Sequence, residues 1–335
     1  MDLNTFLTTL YVWIDDWYSM EMAEQMKRRH GPRPKMSDAE VITVAIAGQW
    51  HYGMPWQSER GVVRYMQAHG RGWFPGMLER SRFNERVRDL WAVIIKVQQA
   101  LVKDLPPASE AYEVVDCVPL PACSKSQAKK QGHWLWWGTW GHGGTNSKMY
   151  WGDQAIVSVR DDYAIMGWLL GPARADDRAL LQILLSQRAG QPAFHAPEPW
   201  RPHRRMYPPA FVGPLLAAGI APVSACYLAD KGFCGYRWQQ HWFRRYGTTI
   251  LTPPKRDIRT ALWSRSWGRW LSGMRQKVET CFAVLTQVFS IKRLNAHSRR
   301  GQQVRFALAT AAFNWGLHLN RCMERPALSH ATLIT

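Results

Sequence analysis

Apolar residues recur at helical spacing through the first hundred positions and at strand-like spacing after them. Phe6, Leu7, Leu10, Val12, Trp13 and Ile14 predict an amphipathic helix near the start. His30 to Lys35 is a basic break with two prolines. Ser37-Asp38-Ala39-Glu40 reads as a capping box, Ser37 at the N-cap and Glu40 at the third helical position. Val41, Ile42, Val44, Ala45, Ile46 and Ala47 follow it. Ser58 opens a segment carrying Val62, Val63, Tyr65 and Met66, and a long basic helix starts at Ser81 and runs towards Val102. Residues 1–104 thus predict an all-helical basic domain for DNA binding or dimerisation, with a solvated basic face as the plainer alternative.

The pattern changes after a linker at 105–111, which includes Leu105-Pro106-Pro107-Ala108-Ser109. Tyr112, Val114 and Val115 favour a strand, and Pro119 and Pro121 are expected to stop it, so that Asp116 is presented near its end. A basic, Gly- and Trp-rich stretch spans Lys125 to Lys148. Met149–Val159 and Tyr163–Leu170 alternate as two strands turned at Arg160-Asp161-Asp162. Asp176 and Asp177 read as caps of a helix over Leu180 to Leu184. Residues 190–209 read as an irregular loop, and Leu215–Ala218 as a helix. A strand from Val223 then delivers Asp230, with Gly232 letting the chain turn away. Tyr236–Tyr246 reads as a helix, Thr248–Leu251 as a strand ended by Pro253 and Pro254. A helix carrying Glu279 and another over Val304–Arg321 close a domain at 112–321, leaving a tail at 322–335. The class is α/β: a sheet flanked by helices, behind an all-helical N-terminal domain.

Composition adds a partner. Lys and Arg number 43 against 25 Asp and Glu, a formal net charge of +18 in 335 residues, which points to a polyanion, nucleic acid first. No apolar run reaches the roughly 18 residues of a spanning helix. Met1-Asp2-Leu3-Asn4 lacks the basic start of a signal peptide. Six cysteines without a C-x-x-C pair read as reduced thiols in a cytoplasmic protein. The 19 tryptophans cluster at Trp134, Trp136, Trp137, Trp140 and Trp151, and at Trp263, Trp267 and Trp270. They read as packing, or as stacking platforms for unpaired bases.

Two strand-borne aspartates and a helix-borne glutamate are the donors a two-metal phosphoryl-transfer site needs, because two Mg²⁺ ions about 3.5–4 Å apart take carboxylate oxygens. Five stretches in order carry a resemblance: Ser37 to Ile42, Ser81-Arg82-Phe83-Asn84, Asp116 to Pro121, Asp230-Lys231-Gly232-Phe233, and Val278-Glu279-Thr280-Cys281-Phe282. Together, from about residue 33 to 316, they resemble bacterial insertion-sequence transposases of the DDE class. The resemblance implies an RNase H-like mixed sheet with Asp116, Asp230 and Glu279 as catalytic and metal-binding residues for two Mg²⁺ or Mn²⁺ ions. It implies cleavage at the ends of the element, then attack of the freed 3′-OH on target DNA. Double-stranded DNA is the partner it implies, with no membrane and a homodimer or larger assembly in the DNA complex, in the cytoplasm at the nucleoid. A metal-dependent nuclease without strand transfer, or a catalytically inactive DNA-binding protein, are the alternatives.

Contacts to DNA are expected from Arg275, Lys125, Lys129, Lys130, Lys148, Arg82 and Arg86. Arg275 precedes Glu279 by four residues and shares its helical face, where it could orient Glu279, grip a phosphate or form a surface ion pair. The chain departs from the family pattern at Cys117, where serine is usual. It also departs at Tyr150-Trp151-Gly152-Asp153-Gln154, which lacks a lysine, and at Ser272 and Thr286, where tyrosine and lysine are frequent.

Overall fold

The computed structural model describes residues 1–22, 34–107, 110–124, 138–143, 148–190, 217–219, 223–253, 265–294, 296 and 298–335. The chain divides into two compact units. The first comprises Met1–Leu105, Val284–Ile291 and Arg300–Thr335, and the second Pro106–Ala283 with Lys292–Arg299.

The first unit is helical among the described residues: α1 (Leu3–Glu21), α2 (Asp38–Ala47), α3 (Glu59–His69), α4 (Arg80–Asp89) and α5 (Trp91–Asp104). The capping box forms as its residues require: Ser37 Oγ accepts from the Glu40 amide at 3.1 Å, and Glu40 accepts from the Ser37 amide at 2.6 Å. Ser58 caps α3 by accepting from the Gly61 amide at 3.2 Å. The long basic helix expected from Ser81 to Val102 is two helices, because the chain breaks at Leu90 between α4 and α5.

The C-terminal helix was expected to close the sheet domain, but nearly all of it belongs to the helical unit. Its apolar residues are buried on every side, including Phe306, Leu308, Phe313, Trp315 and Leu317. A helix buried on every side must be enclosed by other elements of its unit rather than lie on its surface. Gln98 of α5 donates to the Ala307 carbonyl and to Thr310 Oγ1, and Arg305 pairs with Glu59 at 2.7 Å. The expected 322–335 tail belongs to the same unit, and His330 lies fully buried against Phe313, 4.7 Å between ring centres.

The second unit is a mixed seven-stranded sheet with helices. Its strands are β1 (Tyr112–Ser124), β2 (Thr139–Gly143), β3 (Lys148–Arg160), β4 (Ile165–Pro172), β5 (Ala217–Gly219), β6 (Cys226–Ala229) and β7 (Thr249–Leu251). Its helices are α6 (Asp177–Arg188), α7 (Tyr236–Tyr246) and α8 (Arg265–Gln287), the last mostly within this unit; α9 (Arg299–Cys322) is the C-terminal helix described above. Strand order is β5-β4-β3-β1-β6-β7, and β2 also pairs with β3. Pairing is antiparallel from β5 to β1 and parallel from β1 through β6 to β7.

Three expectations change here. Pro119 and Pro121 do not end β1, which runs on to Ser124 paired with β3. The two prolines are two residues apart, so their nitrogens face one side of the strand. Both lie past Val115, where β1 has no β6 partner and only the β3 side of the strand is paired. Residues 217–219 form strand β5 rather than the end of a helix, paired with Gly167–Leu169. Thr139–Gly143, inside the stretch read as Gly- and Trp-rich connection, is strand β2. The loop expected at 190–209 lies outside the described residues apart from Gly190.

The face of β1 bearing Val115 and Cys117 packs on α6 and α7, in a core with Leu180, Leu184, Tyr227, Trp238 and Trp242. Tyr112 and Asp116, at even positions, face the other way, towards Met274 and Arg275 of α8.

Candidate active site

Parallel pairing sets the geometry. Val115 of β1 stands opposite Ala229 of β6, the last pair of that ladder. Asp116 and Asp230 each follow by one residue, so they occupy equivalent positions on neighbouring strands and share a face. Backbones in such a pair run about 4.8 Å apart. Asp116 therefore stands in mid-strand, where its neighbour β6 ends, rather than at the end of its own strand.

Among the described residues one cation, Arg275, lies against both carboxylates. Arg275 of α8 places Nη2 3.6 Å from Asp116 Oδ2 and Nη1 3.8 Å from Asp230 Oδ1. Asp116 also accepts from the Cys117 amide at 2.8 Å, and Asp230 caps the short turn Lys231–Phe233 through the Lys231 amide. Burial pushes the Asp116 carboxyl up to about 6; Asp230 and Asp177 add to the rise, while the Cys117 amide and Arg275 oppose it.

Asp177 is the residue the sequence reading undervalued. Asp176 caps α6 as expected, accepting from the Arg178 amide at 2.9 Å. Asp177 instead opens the helix and accepts a hydrogen bond from the Cys117 thiol. Its carboxyl is raised chiefly by burial, with Asp176 and Asp230 contributing. The Cys117 thiol is pushed well up by burial, with Asp177, Asp116 and Asp176 adding to the rise. Gly232 has its reason here: a Cβ at that position would meet Asp177 Oδ2 at 3.1 Å. Asp177 approaches β1 from the Cys117 face, opposite to Asp116.

Glu279 is exposed, one turn beyond Arg275 on α8. Among the described residues, no group of three or more His, Cys, Asp or Glu stands close enough to hold a metal ion. What the structure brings together is the pair Asp116 and Asp230. The donors themselves suit a hard divalent cation: two carboxylates on one face, already facing one positive charge. Mg²⁺ held by one or two carboxylates leaves its other positions to water and phosphate oxygens.

The expected DNA contacts divide. Arg82 is exposed, in a surface pair with Glu85 at 2.8 Å. Arg86 is tied inward, 2.5 Å from Asp38, whose carboxylate also accepts from Tyr18. In the Ser81-Arg82-Phe83-Asn84 stretch, Phe83 is buried and Asn84 bonds Glu59. Both N-terminal motifs therefore hold the helical unit together. Lys125, Lys129 and Lys130 lie outside the described residues, as do Trp134, Trp136, Trp137 and Trp263; Lys148 is described only as the backbone opening β3. Trp267 and Trp270 are partly exposed on α8 and stack on each other, 4.7 Å between centres.

Comparison of the chain with protein-family models, with curated proteins and with solved structures gave no match. Among the described residues no helix is long and apolar enough to cross a membrane.

Proposed function

We propose that this chain is a DNA transposase of the DDE class, which cleaves the ends of its element and joins the 3′-OH to target DNA. The observation that carries this reading is the side-by-side placement of Asp116 and Asp230 around one cation, in a chain of net charge +18. The mixed sheet supports an RNase H-like reading, since pairing antiparallel on one side of β1 and parallel on the other is what aligns the two aspartates.

Asp116 and Asp230 would hold Mg²⁺ or Mn²⁺, with Glu279 the third carboxylate by resemblance. Such ions, when bound, neutralise charge on the attacking and leaving oxygens of a phosphodiester exchange. Asp116 is ionised above about pH 6 and is then ready to bind a cation. Arg275 offers two terminal nitrogens in the fork geometry that suits a phosphate. The Cys117 face, with Asp177, holds the strand pair from behind. The partners proposed are double-stranded DNA and a second copy of the chain. A catalytically inactive DNA-binding protein is the second reading, favoured by the exposure of Glu279 away from the aspartate pair.

The test is cleavage and joining of a labelled DNA bearing paired element ends in Mg²⁺, with binding followed separately by gel shift. Wild type should nick and join. Asp230→Asn should bind the DNA yet do neither. Cutting by Asp230→Asn at the wild-type rate overturns the assignment, and metal-independent binding with no cutting by the wild type favours the inactive protein.

A further inference from the structure

Arg275 is held differently from the other arginines that face carboxylates in this unit. Arg178 bonds Asp176 through Nε at 2.9 Å and Nη2 at 2.5 Å. Arg160 bonds Asp162 through the same two nitrogens, at 2.9 and 2.5 Å. Arg275 stands 3.6 and 3.8 Å from its two carboxylates, beyond hydrogen-bond reach. Its Nε is buried and finds no partner among the described residues. The guanidinium is therefore held between Asp116 and Asp230 by charge alone, and leaving that position breaks no hydrogen bond to either. Lys277, two residues further along α8, is engaged elsewhere. Its Nζ donates to the Asp161 carbonyl at 2.8 Å and the Tyr112 hydroxyl at 3.3 Å, and sits over the Tyr112 and Tyr163 rings.

We propose, resting on the metal-dependent reading of this site, that Arg275 is a built-in counter-cation that a divalent ion displaces. The guanidinium neutralises the aspartate pair until the ion arrives, then yields it. Its donors pass to a phosphate of the DNA, a group with the bidentate geometry it lacks between the aspartates. Arg275 is thus a positioning residue that couples ion entry to DNA engagement. Metal affinity is weakened by the fraction of protein in which the arginine holds the pair.

The experiment titrates the full-length chain with Mn²⁺ alone, without DNA, reading free Mn²⁺ by its paramagnetic resonance. Wild type should bind, and Asp230→Asn should not. Arg275→Gln should bind on the order of tenfold more tightly than wild type, because one competing charge is gone. Arg275→Lys should shift the same way by less, since one compact ammonium cannot face both carboxylates at once. If circular dichroism shows Arg275→Gln unfolded, Arg275→Lys decides the matter. Wild-type binding that is lost in Asp230→Asn but not tightened in the arginine variants overturns the counter-cation alone. Absence of Mn²⁺ binding in every protein overturns it together with the metal reading.

Discussion

Glu113 and Asp116 stand three residues apart on one strand, each facing an arginine from opposite faces of the sheet. Glu113 points to the α6 face, where Arg188 grips it through Nη1 at 2.6 Å and Nη2 at 2.8 Å. Ser158 donates to the same carboxylate, and Arg188 also lies over the Tyr227 ring. The Arg188 side chain has no solvent exposure and that of Glu113 has 7%. These hydrogen bonds and the ion pair offset the desolvation of both groups. Asp116 points to the α8 face, where the arginine stands off and, among the described residues, makes no hydrogen bond and leaves its Nε without a partner. The same two kinds of group thus make a staple on one face and a poised site on the other. What separates them is satisfaction of donors, not composition.

The comparison breaks most visibly at Arg188. Removing one partner of a buried, hydrogen-bonded pair leaves an uncompensated charge, so Arg188→Met should lower unfolding free energy by about 3–5 kcal/mol in urea denaturation. A loss as small as that of an exposed substitution would show that the pair is not the staple its geometry describes. Arg86→Gln in the helical unit should act in the same direction but less, about 1–3 kcal/mol, because its side chain is 26% exposed while that of Asp38 is 1% exposed.

Asp116→Asn should act in the opposite direction. Its folded carboxyl titrates near 6 against an ordinary 3.8, so the folded chain binds the proton more tightly than the unfolded chain. That contribution is fully present below about pH 4 and is lost as pH rises through 6. Asn carries no such charge, so at pH 7.5 and without divalent ions the variant should be more stable by about 1–3 kcal/mol, and at pH 3.5 the gain should vanish. Thermal melts at the two pH values check this, and equal stability at pH 7.5 would remove the strain ascribed to the site. The smallest effect is expected at Asp177, where loss of a favourable charge at the start of α6 is offset by release of its burial. Asp177→Asn should change stability by no more than about 0.5 kcal/mol and should leave DNA cleavage close to wild type. Cleavage abolished by this variant would move Asp177 from support into the reacting centre.

The helix caps at Ser37 and Ser58, the helices over Tyr236–Tyr246 and around Glu279, and the β3–β4 hairpin are legible in the chain, because each depends on neighbours within a few residues. Periodicity of 3.6 or 2 is a local property, and so is the capping of an amide three residues away. The sequence also determined that one strand would carry Asp116 and another would lead into Asp230, and that the chain would be strongly basic. It did not determine which carboxylates meet. That depends on the register of β1 on β6, which aligns Asp116 with Asp230 and would place them on opposite faces if it slipped by one residue. Likewise Arg86 reads as a surface cation until α2 presents Asp38 to it, and Asp177 reads as a cap until Cys117 and Gly232 close around it. The tertiary structure decided these contacts because charges remote in sequence feel one another only once packing has removed the water between them.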